Sequence, residues 1–216
     1  MEMLEVMKQR HSVRQYTDRA IEPEKRAALD QLAADINREA GLHIQILYDE
    51  PKCFDSMMAH YGKFTGVRNY IALVGPKSAT LDETLGYYGE QLVLKAQALG
   101  LNTCWVAMTH GKSKASINDG EKQICLISLG YGCTSGAAHK SKALRELCNE
   151  QDNMPAWFIR GMEAAQLAPT AMNQQKFFFE LQPDGSVKTT CGKSFYTKLD
   201  LGIVKYHFEL GSGKKI

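Results

Sequence analysis

The stretch Arg10-His11-Ser12-Val13-Arg14 places two guanidinium groups, an imidazole and a hydroxyl close together near the start of the chain. The preceding residues 1–9 carry apolar side chains at roughly helical spacing, which predicts a short helix that leads into this basic cluster. Arginine pairs with phosphate oxygens through parallel hydrogen bonds and serine adds a small hydroxyl donor, so the basic cluster suits a phosphate monoester. A solvated basic turn is the alternative interpretation, because short basic runs are common.

The composition predicts one soluble globular domain over residues 1–216. Hydrophobic residues make up 44% of the 216 residues and charged residues 23%, which is ordinary for such a domain. No linker rich in proline, glycine or serine divides the chain into two independent domains. The formal net charge is +2, from 26 basic and 24 acidic residues, and this balance predicts no nucleic-acid partner.

Targeting and metal signals are weak throughout the sequence. Residues 1–9 lack an apolar core of signal-peptide length, and no apolar run approaches the length of a membrane span. The 6 cysteines form no Cys-x-x-Cys pair, and the 6 histidines do not pair at metal-ligand spacing. We therefore expect a cytoplasmic protein with no membrane partner and no metal, in which His207 is packed or solvated rather than a ligand.

Hydrophobic periodicity and turn residues predict an α/β (α+β) fold with a central mixed sheet flanked by helices. The pattern indicates helices over 23–40, 81–99, 158–168 and 199–210, and strands over 42–48, 70–75, 122–129, 177–181 and 186–190. Residues 101–108 are predicted to form an apolar turn, with a strand that buries Trp105 as the alternative. Gly86 and Gly89 in the long helix indicate close approach of another backbone or of a ligand.

Several well-known site motifs are missing. The sequence has no Gly-x-Gly-x-x-Gly after a strand and no Walker-type loop, which disfavours classical dinucleotide and nucleotide sites. It also has no Gly-x-Ser-x-Gly elbow and no His-Glu-x-x-His, which disfavours the corresponding hydrolases.

Two turns combine well with the basic cluster. The first, Pro169-Thr170-Ala171-Met172-Asn173-Gln174-Gln175, exposes backbone groups, and its Asn173 and Gln175 amides suit the edge of a heterocycle. The second, Gly100-Leu101-Asn102-Thr103-Cys104-Trp105-Val106-Ala107, offers backbone N–H groups that could face a ring. An ordinary helix-to-strand loop is the alternative for the first turn, and a buried strand is the alternative for the second.

Taken together, these stretches resemble the nitroreductase-like flavoprotein superfamily, whose members bind FMN without a covalent bond. The resemblance covers most of the chain, through residues 10–14, 86–89, 99–105, 128–132 and 167–175. It implies a nitroreductase-like fold for residues 1–216. One departure is clear: the turn that commonly follows the first helix after the basic cluster stands here near residue 169, followed by Lys176-Phe177 instead of Pro-Trp. The chain is therefore similar to a rearranged subfamily.

The resemblance also implies which residues bind FMN. Side chains of the basic cluster would hold the phosphate, the ribityl chain and the pyrimidine edge: Arg10, His11, Ser12 and Arg14. Residues of the first turn would contact the isoalloxazine ring: Pro169, Thr170, Ala171 and Asn173. Backbone around Val106 and Ala107 would lie near the reactive N5. Lys140 and Lys142 are candidates for a second phosphate contact, and Lys63 for the pyrimidine edge.

For function, the resemblance implies an FMN-dependent oxidoreductase with a ping-pong cycle driven by NAD(P)H. The acceptor would be a small molecule such as a nitroaromatic or a quinone. Because the flavin carries the redox chemistry, no side chain is assigned as a catalytic acid or base. A homodimer is expected, with helix 81–99 as a candidate dimer helix. Two alternatives stay open: a flavin-binding sensor or carrier without turnover, and BluB-like fragmentation of the flavin by oxygen.

Overall fold

The computed structural model describes residues 2–149 and 154–216. The helices are α1 (Met3–Gln9), α2 (Pro23–Ala40), α3 (Met57–Tyr61), α4 (Leu81–Ala98), α5 (Ala156–Ala165) and α6 (Thr197–Ser212). The strands are β1 (Gln45–Leu47), β2 (Asn69–Pro76), β3 (Asn102–Val106), β4 (Glu121–Gly130), β5 (Phe177–Leu181) and β6 (Val187–Cys191).

The chain divides into two compact units. The sheet unit comprises Gln9–Leu81 and Leu92–Ala138. The helical unit comprises Met1–Lys8, Asp82–Gln91 and His139–Ile216. The prediction of a single domain over residues 1–216 stays a prediction.

The sheet unit is built on a four-stranded sheet in the order β1-β2-β4-β3. All three ladders between these strands are antiparallel, and an isolated parallel bridge joins Ser12 to Thr103 on the edge strand β3. The apolar run at the centre of β2 is buried, as its continuous hydrophobic pattern predicts. Helix α2 starts with Pro23 in its first turn and ends at Gly41, whose φ of 62° is left-handed.

The segment 12–17 is extended and hydrogen-bonded on both sides. On one side, Thr103 of β3 accepts a hydrogen bond from the N–H of Val13 at 3.0 Å. On the other side, Thr65 accepts one from the N–H of Tyr16 at 3.0 Å. Backbone hydrogen bonds therefore pair this segment on both sides, while the Arg14 side chain is exposed to solvent.

In the helical unit, α5 packs on α6, and α6 also packs on the β5–β6 hairpin. An aromatic group in which Phe208 lies against Phe158 and Phe179 fills the space between them. Helix α4 approaches α6 at two glycines, Gly86 of α4 and Gly202 of α6. A Cβ on Gly86 would lie 2.0 Å from the carbonyl oxygen of Leu199. The close approach predicted for Gly86 is therefore made to a helix of the same chain.

The predicted fold class is confirmed, since a sheet flanked by helices forms from the predicted segments. The predicted apolar turn over 101–108 is wrong: residues 102–106 form strand β3, because they pair with β4 over their whole length. The alternative, a strand, is correct, although Trp105 stays partly exposed. No helix in the described ranges is long and apolar enough to cross a membrane.

Candidate functional site

The basic cluster converges on the thiol of Cys104 in the sheet unit. Burial raises the pKa of this thiol, and the opposing influences are the Arg14 guanidinium, a hydrogen bond from the side chain of Ser12, and the Arg10 guanidinium. Arg10 is only 3% exposed, whereas Arg14 is exposed. The cluster thus gathers two positive charges and a hydroxyl at the edge strand β3, beside a thiol that stays neutral near pH 7.

His11 is covered by the loop that follows β4. A Cβ on Gly136 would lie 2.7 Å from the Cβ of His11 and 3.0 Å from the carbonyl oxygen of Ser12, and its φ of +74° is left-handed. Only glycine allows the loop to pass so close to the cluster in this conformation. The sequence analysis did not single out Gly136, whose partner lies more than a hundred positions earlier in the chain.

Lys63, Arg14 and the loop after β3 lie close together. Lys63 lies two residues after the end of α3 with a φ of 63°, and its N–H donates to the carbonyl oxygen of His60 at 2.8 Å. The Arg14 guanidinium lies 6.0 Å from the ring centroid of Phe64, the next residue. A Cβ on Gly62 would lie 2.6 Å from the Cβ of Thr109, so the end of α3 packs on this loop.

The predicted backbone site at Val106 and Ala107 stands at the start of the same loop. Val106 is the last residue of β3 and is 2% exposed, and Ala107 follows it with a partly exposed side chain. The sheet unit therefore contains seven of the predicted residues: Arg10, His11, Ser12, Arg14, Lys63, Val106 and Ala107.

A cavity of about 420 Å³ opens in the sheet unit beside the segment 12–17. Tyr16, Phe54 and Val67 give it an apolar lining, and charged or ionisable side chains complete it: Asp18, Asp55, His60 and Arg68. The predicted site residues are not among its lining residues, so the cavity and the basic cluster are neighbouring but separate features.

In the helical unit, the side chain of Gln175 joins the predicted turn to residues 140–142. Gln175 is 5% exposed; its Oε1 accepts from the N–H of Lys142 at 2.8 Å, and its Nε2 donates to the carbonyl oxygen of Lys140 at 2.8 Å. Asn173 donates to the same Lys140 oxygen at 2.9 Å. These amide hydrogen bonds join the 169–175 turn to residues 140–142. Both ends of the Gln175 amide are bonded to protein groups.

Other predicted residues of the helical unit lie next to these Gln175 hydrogen bonds. The Lys142 ammonium donates to the carbonyl oxygen of Gln175 at 3.1 Å, and the hydroxyl of Thr170 accepts from the Gln175 N–H at 3.1 Å. The helical unit thus gathers the remaining seven predicted residues: Lys140, Lys142, Pro169, Thr170, Ala171, Asn173 and Gln175. Their roles toward a ligand stay predictions.

Asp200 and Gln174 also support the turn, and sequence reasoning missed both. Asp200 lies in the first turns of α6 and is 4% exposed. Burial raises its pKa to about 6, against hydrogen bonds from Ala171 and Gln174 that lower it. A buried carboxylate in an amphipathic helix gives no periodic signal, because an isolated acidic residue in a helical pattern is normally solvated. Among the described residues, no group of three or more His, Cys, Asp and Glu could hold a metal ion.

Comparisons with known proteins agree on the fold. A family model described as "Putative TM nitroreductase" matches residues 2–212. A "putative nitroreductase" from Thermotoga maritima matches with 22% identity and a TM-score of 0.69, covering 98% of this chain and 83% of that one. No curated protein matches the sequence significantly.

Two further solved structures carry FMN in their descriptions. A "putative nitroreductase" from Desulfovibrio desulfuricans, in complex with FMN, matches with 18% identity and a TM-score of 0.55, covering 72% of this chain and 99% of that one. An FMN-dependent nitroreductase from Clostridium difficile matches with 18% identity and a TM-score of 0.53, covering 69% and 98%. At these identities the likeness shows a shared fold. Because the family model spans nearly the whole chain, this protein belongs to the family described as "Putative TM nitroreductase".

Proposed function

We propose that this protein is an FMN-dependent oxidoreductase that uses NAD(P)H to reduce a small acceptor. The observation that carries the proposal is the placement of the basic cluster against the edge strand β3, where Ser12 forms a parallel bridge with Thr103 and the N–H of Val13 donates to Thr103, while the other side of the segment bonds to Thr65. The membership of the family and the FMN complex of the D. desulfuricans relative support it.

The donors of the basic cluster fit the phosphate of FMN. A phosphate monoester carries between one and two negative charges at neutral pH and offers several acceptor oxygens. Arg10 and Arg14 supply two guanidinium groups, Ser12 supplies a hydroxyl, and the neutral Cys104 thiol does not cancel their charge. His11, held beside them under Gly136, completes the set proposed for the phosphate, the ribityl chain and the pyrimidine edge.

Positive charge is also available for the pyrimidine edge. Lys63 directly precedes Phe64, whose ring centroid lies 6.0 Å from the Arg14 guanidinium, and the N–H of Thr65 donates to the carbonyl oxygen of Arg14. We assign to Arg14 or Lys63 the stabilisation of the negative charge of a reduced flavin. Backbone of Val106 and Ala107, at the end of β3, is assigned to the neighbourhood of N5.

The ring contacts are proposed to come from the 169–175 turn. Among the predicted residues of the turn only Gln175 is buried, so the other four are at least partly exposed, while the N–H groups of Ala171 and Asn173 donate within the protein. The proposal therefore assigns the ring to Pro169, Thr170, Ala171 and Asn173, and further phosphate contacts to Lys140 and Lys142. A homodimer and a cytoplasmic location belong to the same proposal.

When bound, FMN supplies the redox chemistry: in a ping-pong cycle NAD(P)H is oxidised and leaves before an acceptor such as a nitroaromatic or quinone is reduced. The protein's own groups bind the cofactor, orient its ring and place charge beside it. No side chain is required as an acid or a base.

Spectroscopy of the purified protein, mixed with FMN, tests the function directly. We expect the absorption bands of oxidised flavin to stay with the protein through gel filtration. Addition of NADH or NADPH without oxygen is expected to bleach them, and a quinone or nitroaromatic to restore them. A protein that retains no FMN contradicts the whole proposal, and one that retains FMN but is not bleached is a carrier.

Replacement of Arg14 with alanine is expected to weaken FMN binding. A hydrogen bond to a charged group contributes about 1.5–3 kcal/mol, so the dissociation constant should rise roughly 10- to 150-fold. Fluorescence titration of the apoprotein with FMN measures it. Arg68→Ala is the matched control, because Arg68 is a half-exposed arginine of the same unit whose acidic neighbour is Asp49. Equal FMN affinity in the Arg14 variant and the wild type would remove Arg14 from the site.

A further inference from the structure

The turn over residues 170–175 has an unusual backbone. Three of its non-glycine residues have left-handed φ values: Met172 at 51°, Asn173 at 54° and Gln175 at 46°. This region is disfavoured for residues with a side chain, so such a turn persists only when its surroundings hold it. Met172 is 98% exposed, so packing of its side chain does not hold the turn.

Asp200 of α6 holds the turn from inside the helical unit. Its Oδ1 accepts a hydrogen bond from the N–H of Ala171 at 2.9 Å, and its Oδ2 accepts one from the Nε2 of Gln174 at 2.7 Å. The same Gln174 amide donates to the carbonyl oxygen of Phe195 at 3.0 Å. One buried carboxylate therefore fixes both the start of the turn and a side chain near its end.

This arrangement costs stability. A carboxylate at 4% exposure has lost most of its hydration, and both of its described hydrogen bonds come from amide groups rather than from cations. An ordinary surface loop between a helix and a strand needs neither a buried charge nor three left-handed residues. Strain that the surroundings enforce in this way is typical of ligand-contacting segments.

We propose that Asp200, through its hydrogen bonds to Ala171 and Gln174, is the positioning residue that holds the 170–175 turn in the conformation that contacts the flavin ring. This inference rests on the proposed function, since it takes FMN as the ligand of the turn. It assigns to Asp200 and Gln174 an indirect part, in which neither side chain touches the cofactor.

Exchanging the two partners tests this assignment. In Asp200→Asn, the asparagine oxygen still accepts from the N–H of Ala171, so its amide nitrogen pairs with Gln174 only if the Gln174 amide turns over and gives up its bond to Phe195. In Gln174→Glu, two carboxylates face each other. In the double variant, the introduced asparagine can donate to the introduced glutamate while its own oxygen still accepts from the N–H of Ala171. The charge-assisted pairing is therefore lost in both single variants: it becomes a neutral amide pair without the Phe195 bond in Asp200→Asn, and it has no donor in Gln174→Glu. The double variant restores it with the partners exchanged, although Phe195 loses its donor.

FMN affinity, measured by fluorescence titration, is the readout. Loss of one charge-assisted hydrogen bond predicts that each single variant binds FMN roughly tenfold more weakly. The double variant is expected to recover to within about threefold of the wild type, as a restored hydrogen bond should. Circular dichroism confirms that each variant is folded, and Gln174→Ala replaces any single variant that does not fold, with the same expected weakening.

The chain offers a matched control in Gln31, whose Nε2 donates to Asp35 at 3.1 Å on the exposed surface of α2. Gln31→Glu also brings two carboxylates together and is expected to leave FMN affinity unchanged. Single variants that bind FMN like the wild type, or a double variant no better than either, overturn the inference alone. A wild type that does not bind FMN overturns the proposed function, and this inference with it.

Discussion

Replacing Gly202 with alanine is expected to destabilise the protein by about 3 kcal/mol or more, the upper range for overpacking a well-packed contact. A Cβ at this position would lie 1.9 Å from the carbonyl oxygen of Glu83 and 2.7 Å from the backbone nitrogen of Tyr87. Both obstacles are backbone atoms of α4, so no side-chain rotation relieves them. Helices α4 and α6 would have to separate, and the neighbouring contact at Gly86 would be lost as well.

The sign of the change in the free energy of unfolding shows whether the close contact at Gly202 exists. Glycine inside a helix costs about 1 kcal/mol relative to alanine, so without the close contact the Gly202→Ala variant would gain stability. Urea unfolding followed by circular dichroism measures the difference. Gly192→Ala is the control, because a Cβ there meets its nearest neighbour at 3.5 Å, an ordinary van der Waals distance. A Gly202 variant as stable as the wild type would contradict the packing described for α4 and α6.

The close approach at Gly86 illustrates what local sequence can predict. A glycine in the middle of an amphipathic helix is costly, so the pattern itself indicates a contact. The same local logic predicts α2 with its Pro23 start and Gly41 end, and the buried strand β2 from its apolar run. What the sequence leaves open at Gly86 is the partner, because α6 is encoded more than a hundred residues later.

Strand β3 shows where local reasoning fails. An apolar stretch of this length fits a turn, a strand or a buried helix segment equally well. Pairing with β4 decides between them, and that pairing also leaves the Trp105 side chain partly exposed. Long-range pairing is a tertiary property, so periodicity within residues 101–108 cannot predict it.

The candidate site also has a part that local sequence predicts and a part that only the fold determines. Arg10, Ser12 and Arg14 are close in sequence, so their gathering is predictable from a short extended segment. Their convergence on Cys104 is not, because it depends on the register between that segment and β3. Asp200 leaves no local signal at all, since its partners precede it by 26 to 29 positions and only the fold brings them together.

Replacing Glu90 with alanine is expected to destabilise the protein by about 3–5 kcal/mol, the cost of removing one partner from a buried ion pair. His207 and Glu90 are both 0% exposed, and the histidine Nε2 lies 2.9 Å from the Glu90 Oε1. The other ring nitrogen, Nδ1, lies 3.2 Å from the carbonyl oxygen of Ala164. One imidazole thus joins α4, α5 and α6, so of the two predicted environments for His207, packed and solvated, the packed one is found.

The hydrogen bonds of the two His207 ring nitrogens determine which Glu90 variant should lose more stability. A backbone carbonyl only accepts, so Nδ1 must carry a proton, and Nε2 must share a second proton with Glu90. In Glu90→Ala, Nε2 faces a cavity without that partner, whereas in Glu90→Gln the amide can donate to Nε2 of a neutral ring. We therefore expect Glu90→Gln to lose less than half as much stability as Glu90→Ala, because it leaves both ring nitrogens paired.

A second ion pair between the same two helices provides the control. Lys205 of α6 lies 2.5 Å from Glu83 of α4, with side chains 23% and 32% exposed. Solvent screens that pair, so Glu83→Ala should cost about 1 kcal/mol or less. Thermal and urea unfolding of the three variants distinguish the cases. If Glu90→Ala costs no more than Glu83→Ala, or if Glu90→Gln is as damaging as Glu90→Ala, then the buried pair does not hold the three helices together. The large cost follows only if a ring nitrogen of His207 is left unpaired where water cannot replace the carboxylate.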